Sequence, residues 1–253
     1  MNTNEIQETR SFWNRVADDW HEQVGDDGDR NRILNSDPVL WDFAGNISGL
    51  TVLDAGCGTG YLTRKLSERG ACVIGVDFSE KMIEVARAKA PQLDFRVDSC
   101  SALSSVQDGS VDLVISNYVL MDTPDLDETV HAFYRVLKGT AIAIIIFSHP
   151  CFPADYASDT PDGKGVQYRW EFPYFSQRKL IAPPWGHFTS DFIWYHRPLS
   201  DYWKAFRTAG FDVLQIEEPR LTSDRQHLAL NERELQKSTS RPYSVAFKLK
   251  KPA

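Results

Sequence analysis

The sequence predicts an α/β fold, and two adjoining stretches carry that prediction. Thr51–Gly60 reads T-V-L-D-A-G-C-G-T-G: a short buried strand over Thr51–Ala55, then glycines at 56, 58 and 60 leading into a helix over Tyr61–Arg69. Ala71–Asp77 (A-C-V-I-G-V-D) reads as a second buried strand. A strand, a glycine turn and a helix in that order make a βα unit whose loop lies flat against a ligand. Glycine serves there because a Cβ would hold the backbone off, and because such turns often need φ > 0.

Both strands end on an acid, Asp54 and Asp77. Asp77 lies 21 residues past Gly56, where an acid can grip a ribose diol with its two oxygens. A phosphate-binding loop would read G-x-G-x-x-G or carry G-K-[ST]. This chain has G-x-G-x-G with an acid two residues ahead, which suits a positively charged, phosphate-free nucleoside. The stretch resembles the first motif of the class I S-adenosylmethionine-dependent methyltransferases, hydrophobic-hydrophobic-D-x-G-x-G-x-G, and the likeness runs at least over Val52–Pro150. It implies a seven-stranded, doubly wound Rossmann-like sheet with an antiparallel last strand, and S-adenosyl-L-methionine as cofactor, leaving as S-adenosyl-L-homocysteine. It also implies cofactor contacts at Asp54, Gly56, Cys57, Gly58 and Asp77.

Taken in order, residues 4–24 suit an amphipathic helix, with Ile6, Phe12, Trp13, Val16, Ala17 and Trp20 including pairs spaced by three, four and seven. In the family such a segment is a lid over the methionine end of the cofactor. Trp13 or Trp20 would then face the sulfonium, since an aromatic face attracts a cation; simple core packing is the alternative. The helical cap is assigned to residues 1–45. Gly25–Asn31 is a polar loop, and Ile33–Ala44 a helix broken or restarted at Asp37-Pro38. Arg32, 22 residues before Asp54, is either the family's arginine on the cofactor carboxylate, through a bidentate bond, or an ordinary surface arginine.

Glu80–Lys89 reads as a helix after the Phe78-Ser79 turn, and Leu93–Val97 as the third strand. The resemblance places Phe78 and Met82 against the adenine ring. Asp98-Ser99-Cys100-Ser101-Ala102-Leu103 is similar to the family's D-A-x-x-L, with Ser99 in place of alanine and the leucine one residue late. By resemblance the Asp98 carboxylate accepts from the adenine amine, with Ser99 and Cys100 beside it; capping of the following turn is the other reading. Val111–Ser116 is the fourth strand, and it leads into Asn117 and Tyr118, the floor between cofactor and acceptor in the family. Leu126–Leu137 is a helix, K-G-T at 138–140 a turn, and Ala141–Phe147 the fifth strand.

His149 follows at the carboxyl end of that strand. Its ordinary pKa near 6.5 makes it the first candidate for a general base; a strand-end hydrogen bond is the alternative. Tyr118 and His196 stand behind it, His196 and Arg197 having surface or packing roles as their other reading. Residues 152–198 form an insertion with no sustained period, and 12 of the chain's 30 aromatic residues fall between 152 and 195. Such lining fits a small, flat or apolar acceptor, or else builds a mini-core of its own. Leu199–Ala209 is a helix capped by Gly210, Phe211–Glu217 a strand, Leu228–Lys237 a short helix and Tyr243–Lys250 the final strand.

The 253 residues suit a single methyltransferase domain, 1–253, and 42% hydrophobic with 25% charged residues is ordinary for a globular protein. A net charge of −7 with scattered Lys and Arg disfavours a nucleic-acid partner. No apolar run approaches a membrane span, and Met1–Arg10 is too polar for a signal peptide, so a cytoplasmic location is expected. Four cysteines without CxxC spacing are expected reduced and on buried strands or turns. No His/Asp cluster marks a metal-dependent catechol-type site, so the reaction is expected to be metal-free. The expected activity is methyl transfer to an oxygen or nitrogen of a small acceptor, by a monomer or homodimer. A tRNA- or rRNA-modifying enzyme would need a basic groove. A non-catalytic cofactor-binding protein would lack an open acceptor pocket. An NAD-linked dehydrogenase would show G-x-G-x-x-G.

Overall fold

The computed structural model describes residues 3–153, 156–161 and 165–253. Its centre is a seven-stranded sheet of β1 (Thr51–Ala55), β2 (Cys72–Asp77), β3 (Asp94–Val97), β4 (Val111–Asn117), β5 (Leu137–Ser148), β10 (Asp212–Glu217) and β11 (Ser244–Lys250). Their spatial order is β3-β2-β1-β4-β5-β11-β10. Every neighbouring pair from β3 to β5 is parallel, while β11 runs against both β5 and β10. The sheet is therefore the predicted doubly wound one with its last strand reversed. From β1 the chain builds outward to β2 and β3, then returns to β4 on the other side. The crevice at the carboxyl ends of β1 and β4 is the switch point where such sheets bind ligands.

The central strands are apolar at consecutive positions because both faces are covered. Leu53, Val114, Ile145, Phe147, Val245 and Phe247 pack with α6 (Leu126–Val136) and α7 (Leu199–Ala209), through residues such as Phe133 and Phe206. Their neighbours Val52, Leu113, Ile115, Ile144, Ile146 and Ala246 face the opposite way. They pack with Leu40 and Phe43 of α3 (Asp37–Ala44) and Leu62 and Leu66 of α4 (Tyr61–Glu68). The period of two thus sorts one strand's side chains between two helical layers.

Three boundaries differ from expectation, and one predicted break is met. The N-terminal helix is two, α1 (Thr3–Arg15) and α2 (Ala17–Val24), hinged at Val16 with φ −99° and ψ 15°. Arg32–Ser36 forms a π-helical turn before α3, the predicted break at Asp37-Pro38. Strand β5 begins at Leu137 rather than Ala141: K-G-T is a bulge within it, Thr140 having φ 66° and the pairing stepping from Val111–Leu137 to Leu113–Ile142. Near the C-terminus Ser223–Leu228 is a 3₁₀ turn, and α8 (Glu232–Ser240) starts four residues later than predicted, where Asn231 caps it by accepting the Glu234 N–H. After Ser79, whose hydroxyl accepts the Met82 N–H, α5 (Glu80–Lys89) runs as expected.

The insertion, of which 154–155 and 162–164 lie outside the described residues, holds two hairpins, β6–β7 (Ala157–Asp159, Val166–Tyr168) and β8–β9 (Arg178–Ala182, Phe192–His196). The second packs on α1: Phe192 meets Phe12 edge-on at 5.3 Å and Trp13 at 5.5 Å. Ala182, Phe188, Ile193 and Tyr195 join the same cluster as Val16 and Met82. The aromatic insertion and the N-terminal cap therefore share one core. Among the described residues no helix is long and apolar enough to cross a membrane. The four cysteines are free; Cys57 is buried, Cys100 and Cys151 half-buried, and Cys72, at the start of β2, exposed contrary to expectation.

Candidate active site

At the switch point lies a cavity of about 710 Å³ of empty space, open solvent included. Gly56 and Gly58 form its floor, Asp77, Phe78, Met82 and Ser99–Ser101 one wall, and Asn117–Val119 with Asp122–Asp125 the other; Ile6, Trp13 and Trp20 close it from the cap. Each group arrives from the end of a parallel strand or from the cap above.

The glycine loop is fastened to β2, since Gly56 and Cys57 both donate their N–H to the Val76 carbonyl, at 2.7 and 2.9 Å. Gly56 has φ 79° and Gly58 φ 53°, in the left-handed region that costs an L-residue ~1–2 kcal/mol. A Cβ on Gly56 would stand 2.3 Å from Val119, and one on Gly58 2.9 Å from the Trp20 indole nitrogen. Both glycines are thus required twice, by conformation and by space.

Two buried acids organise the loop. Asp77 accepts the Gly58 N–H at 3.0 Å and the Ser79 N–H at 2.9 Å. Burial pushes its pKa up to about 6, against the pull of those N–H groups. Asp54 accepts the Thr63 hydroxyl at 2.6 Å, which joins β1 to α4, and burial raises its pKa to about 7. Asp77 borders the cavity; Asp54 stands beneath it as a support.

Residues 52–140 match the family model of a methyltransferase domain. Demethylmenaquinone methyltransferase of Lactococcus lactis subsp. lactis (strain IL1403) is 30% identical over 189 residues, covering 69% of this chain and 70% of that enzyme. The chain belongs to the class I S-adenosylmethionine-dependent methyltransferases. A ubiquinone biosynthesis O-methyltransferase of Xanthomonas oryzae pv. oryzae (strain PXO99A) is 33% identical over 119 residues, covering 44% of this chain and 50% of that one. The methyltransferase described here thus spans about half the length of that relative. The structure of an S-adenosylmethionine-dependent methyltransferase from Mesorhizobium loti aligns with a TM-score of 0.71 at 21% identity, over 85% of this chain and 96% of that one. That likeness is one of fold.

The methyltransferase's own geometry fits its cofactor. At Gly56 and Gly58 the floor is bare backbone, where a Cβ would collide with Val119 and Trp20 of the lining. Asp77 accepts one N–H on each oxygen, from Gly58 and from Ser79, and each oxygen has a second lone pair that would suit a ribose hydroxyl. Trp13, Trp20 and Phe78 line the same space, and aromatic rings attract a cation such as a sulfonium. S-adenosylmethionine supplies an activated methyl group; the protein's task is to hold and orient both partners and to exclude water.

Of the residues expected at the site, the cavity brings together Trp20, Gly56, Gly58, Asp77, Phe78, Met82, Ser99, Cys100, Asn117 and Tyr118. The others sit elsewhere. Cys57 turns its side chain into a cluster with Ile83, Ala86 and Phe95. Asp98 caps its own turn, accepting the Ser99 and Ser105 N–H groups at 2.8 and 2.7 Å. Arg32 lies behind the lining: it pairs with Asp29 at 2.6 Å and stacks over Tyr118 at 4.8 Å and Trp20 at 5.0 Å.

The three base candidates all have their polar atoms engaged within the protein, and the two histidines stand away from the cavity. His149 is 3% exposed; its Nδ1 accepts the Cys151 N–H at 3.2 Å, so Nε2 carries the hydrogen and donates to Glu218 at 3.1 Å. Burial lowers its pKa, against the pull of Glu218. His196 donates from Nε2 to the Tyr174 carbonyl at 2.7 Å, among Trp170, Phe172 and Tyr174. Tyr118 borders the cavity, but its hydroxyl is bonded to Asn31 and Ser244 and burial raises its pKa. The alternative readings, strand-end tie and packing, describe both histidines.

Among the described residues none of the insertion borders the cavity. Sequence reasoning passed over Ile6, Ser101, Val119 and the Asp122–Asp125 segment. The signal for that segment was Asp122 itself, an acid closing the otherwise apolar run Val119–Met121 just past the end of β4.

Proposed function

We propose that this methyltransferase moves the methyl group of S-adenosylmethionine to an oxygen or nitrogen of a small, ring-bearing or apolar acceptor, without a metal. The observation that carries the reading is the composition of the cavity's lining. Ile6, Trp13, Val119 and Pro124 belong to it beside the acids Asp122 and Asp125, and among the described residues no Lys or Arg side chain does. Such a lining favours an apolar body over a phosphate backbone. The relatives' names, a demethylmenaquinone and a ubiquinone biosynthesis methyltransferase, support an acceptor of ring-bearing type. We assign the insertion the part of a buttress: β8–β9 holds Trp13 through Phe192 and so shapes the acceptor end from one layer behind.

The test is product mass. The protein is incubated with S-adenosylmethionine and a panel of small phenols, amines and carboxylic acids, with and without a chelator. A gain of one methyl group on a panel member, unaffected by chelator, supports the reading. Methylation of RNA alone, or activity that the chelator abolishes, overturns it.

A further inference from the structure

The wall after β4 carries a group that the fold does not use. Asp122 is 7% exposed, borders the cavity beside Val119, Thr123 and Pro124, and leaves Oδ1 buried without a hydrogen-bond partner. The turn that places it is closed by its own N–H, which donates to the Val119 carbonyl at 2.8 Å. Three residues on, Asp125 also borders the cavity and leaves Oδ2 buried and unpartnered, although it stands at the start of α6. An unsatisfied buried acceptor is a cost that needs a reason. Asp77, by contrast, has both oxygens held by backbone N–H groups.

We propose that Asp122 is the acceptor-recognising and proton-accepting residue, seconded by Asp125, and that it selects an acceptor presenting an O–H or N–H over one presenting a carboxylate. This rests on the proposed methyl transfer and names the chemistry of its second substrate. The acceptor's hydrogen fills the vacant lone pair of Asp122. As the acceptor's oxygen or nitrogen bonds to the methyl carbon, the S–CH3 bond breaks with its electron pair going to sulfur. The acceptor's proton passes to the Asp122 carboxylate, which afterwards returns it to water. Burial holds the carboxyl well above the ordinary range, while the Arg32 charge opposes it; a cation entering the same cavity further favours the ionised form. An analogue without the hydrogen leaves the buried oxygen unpaired, and a carboxylate adds like-charge repulsion. Sites built to bind a hydroxyl discriminate strongly for that reason.

The test uses protein saturated with S-adenosylhomocysteine and three probes of one shape, 2-naphthol, 2-methoxynaphthalene and 2-naphthoate, with binding read by calorimetry. Native protein is expected to bind 2-naphthol at least tenfold more tightly than either other ring. Asp122→Leu, which removes every acceptor, is expected to erase the preference over 2-methoxynaphthalene while S-adenosylhomocysteine affinity stays within twofold, and Asp122→Asn, which keeps one amide oxygen, to retain part of it. Equal binding of the three rings, tightest binding of 2-naphthoate, no ring binding to the loaded protein, or a preference that survives in Asp122→Leu would each overturn the proposal. Failure of S-adenosylhomocysteine to bind native protein strikes instead at the cofactor assignment beneath it.

Discussion

The Gly58 N–H donates to the Asp77 carboxylate at 3.0 Å, which locks the glycine loop to the tip of the neighbouring strand before any ligand arrives. The two features read separately from the sequence are one unit in the fold. Asp77→Asn keeps an oxygen for one N–H but loses the charge and half the acceptor capacity. Hydrogen bonds to charged groups contribute ~1.5–3 kcal/mol, so affinity for S-adenosylhomocysteine is expected to fall about tenfold or more by calorimetry. An unchanged Kd would detach Asp77 from cofactor binding.

Gly58 faces the cap as well as Asp77. Its positive φ and the Trp20 indole 2.9 Å from a notional Cβ leave no room for a branched side chain. Gly58→Val is expected to abolish measurable cofactor binding. A variant that still binds S-adenosylhomocysteine with native affinity would show that the loop does not cradle it.

Asp54 and Asp77 make stability depend on pH in an unusual sense for carboxylates. Burial sets their folded pKa values to about 7 and about 6, above the unfolded value near 4. The folded chain therefore holds more protons than the unfolded one from about pH 4 to about pH 7, and this contribution to stability is lost as pH rises through that window. Half-buried acids such as Glu80, held down to about 2 by its hydrogen bond to Asn14, act in the opposite sense, so the total curve mixes the two. The difference between Asp54→Asn and native protein isolates one site. The variant, which cannot titrate, is expected to gain on native protein as pH is raised from 4 to 7 in urea melts. A difference that is flat with pH would mean that Asp54 is ordinary in the folded chain.

Strands β1 and β2 were legible because each is a short apolar run tipped by an acid, β4 and β5 as apolar runs of strand length, and β11 by its alternation. The break at Val16 was not, since one apolar stripe spans both α1 and α2 and no proline or glycine interrupts it. The β5 bulge was hidden for a related reason: Lys138-Gly139-Thr140 carries turn-forming residues, and a bulge uses the same ones. At the site, the glycine floor and Asp77 were readable from local spacing. What Asp98 and His149 do depends on Ser105 and Glu218, partners seven and 69 positions away, which spacing does not reveal. Asp122 escaped notice because an acid in a turn reads as solvent-facing until burial is known.

His149 separates a strand-end role from a catalytic one. Its N–H donates to the Tyr243 carbonyl at 2.8 Å, and its ring spans the Cys151 N–H and the Glu218 carboxylate, so it pins the ends of β5 and β11 to the loop after β10. His149→Ala frees the Cys151 N–H and opens a gap beside Phe152, whose ring lies 5.0 Å away. An unsatisfied buried donor costs ~1–3 kcal/mol, and urea unfolding is expected to report a loss of that order. Turnover of any acceptor that the native protein methylates is expected to stay within about twofold at a temperature where both proteins are folded, because no atom of the ring borders the cavity. Loss of a positioned general base costs about 10²–10⁴ in rate. A fall of that size with unchanged unfolding would restore His149 to the chemistry and displace Asp122 from it.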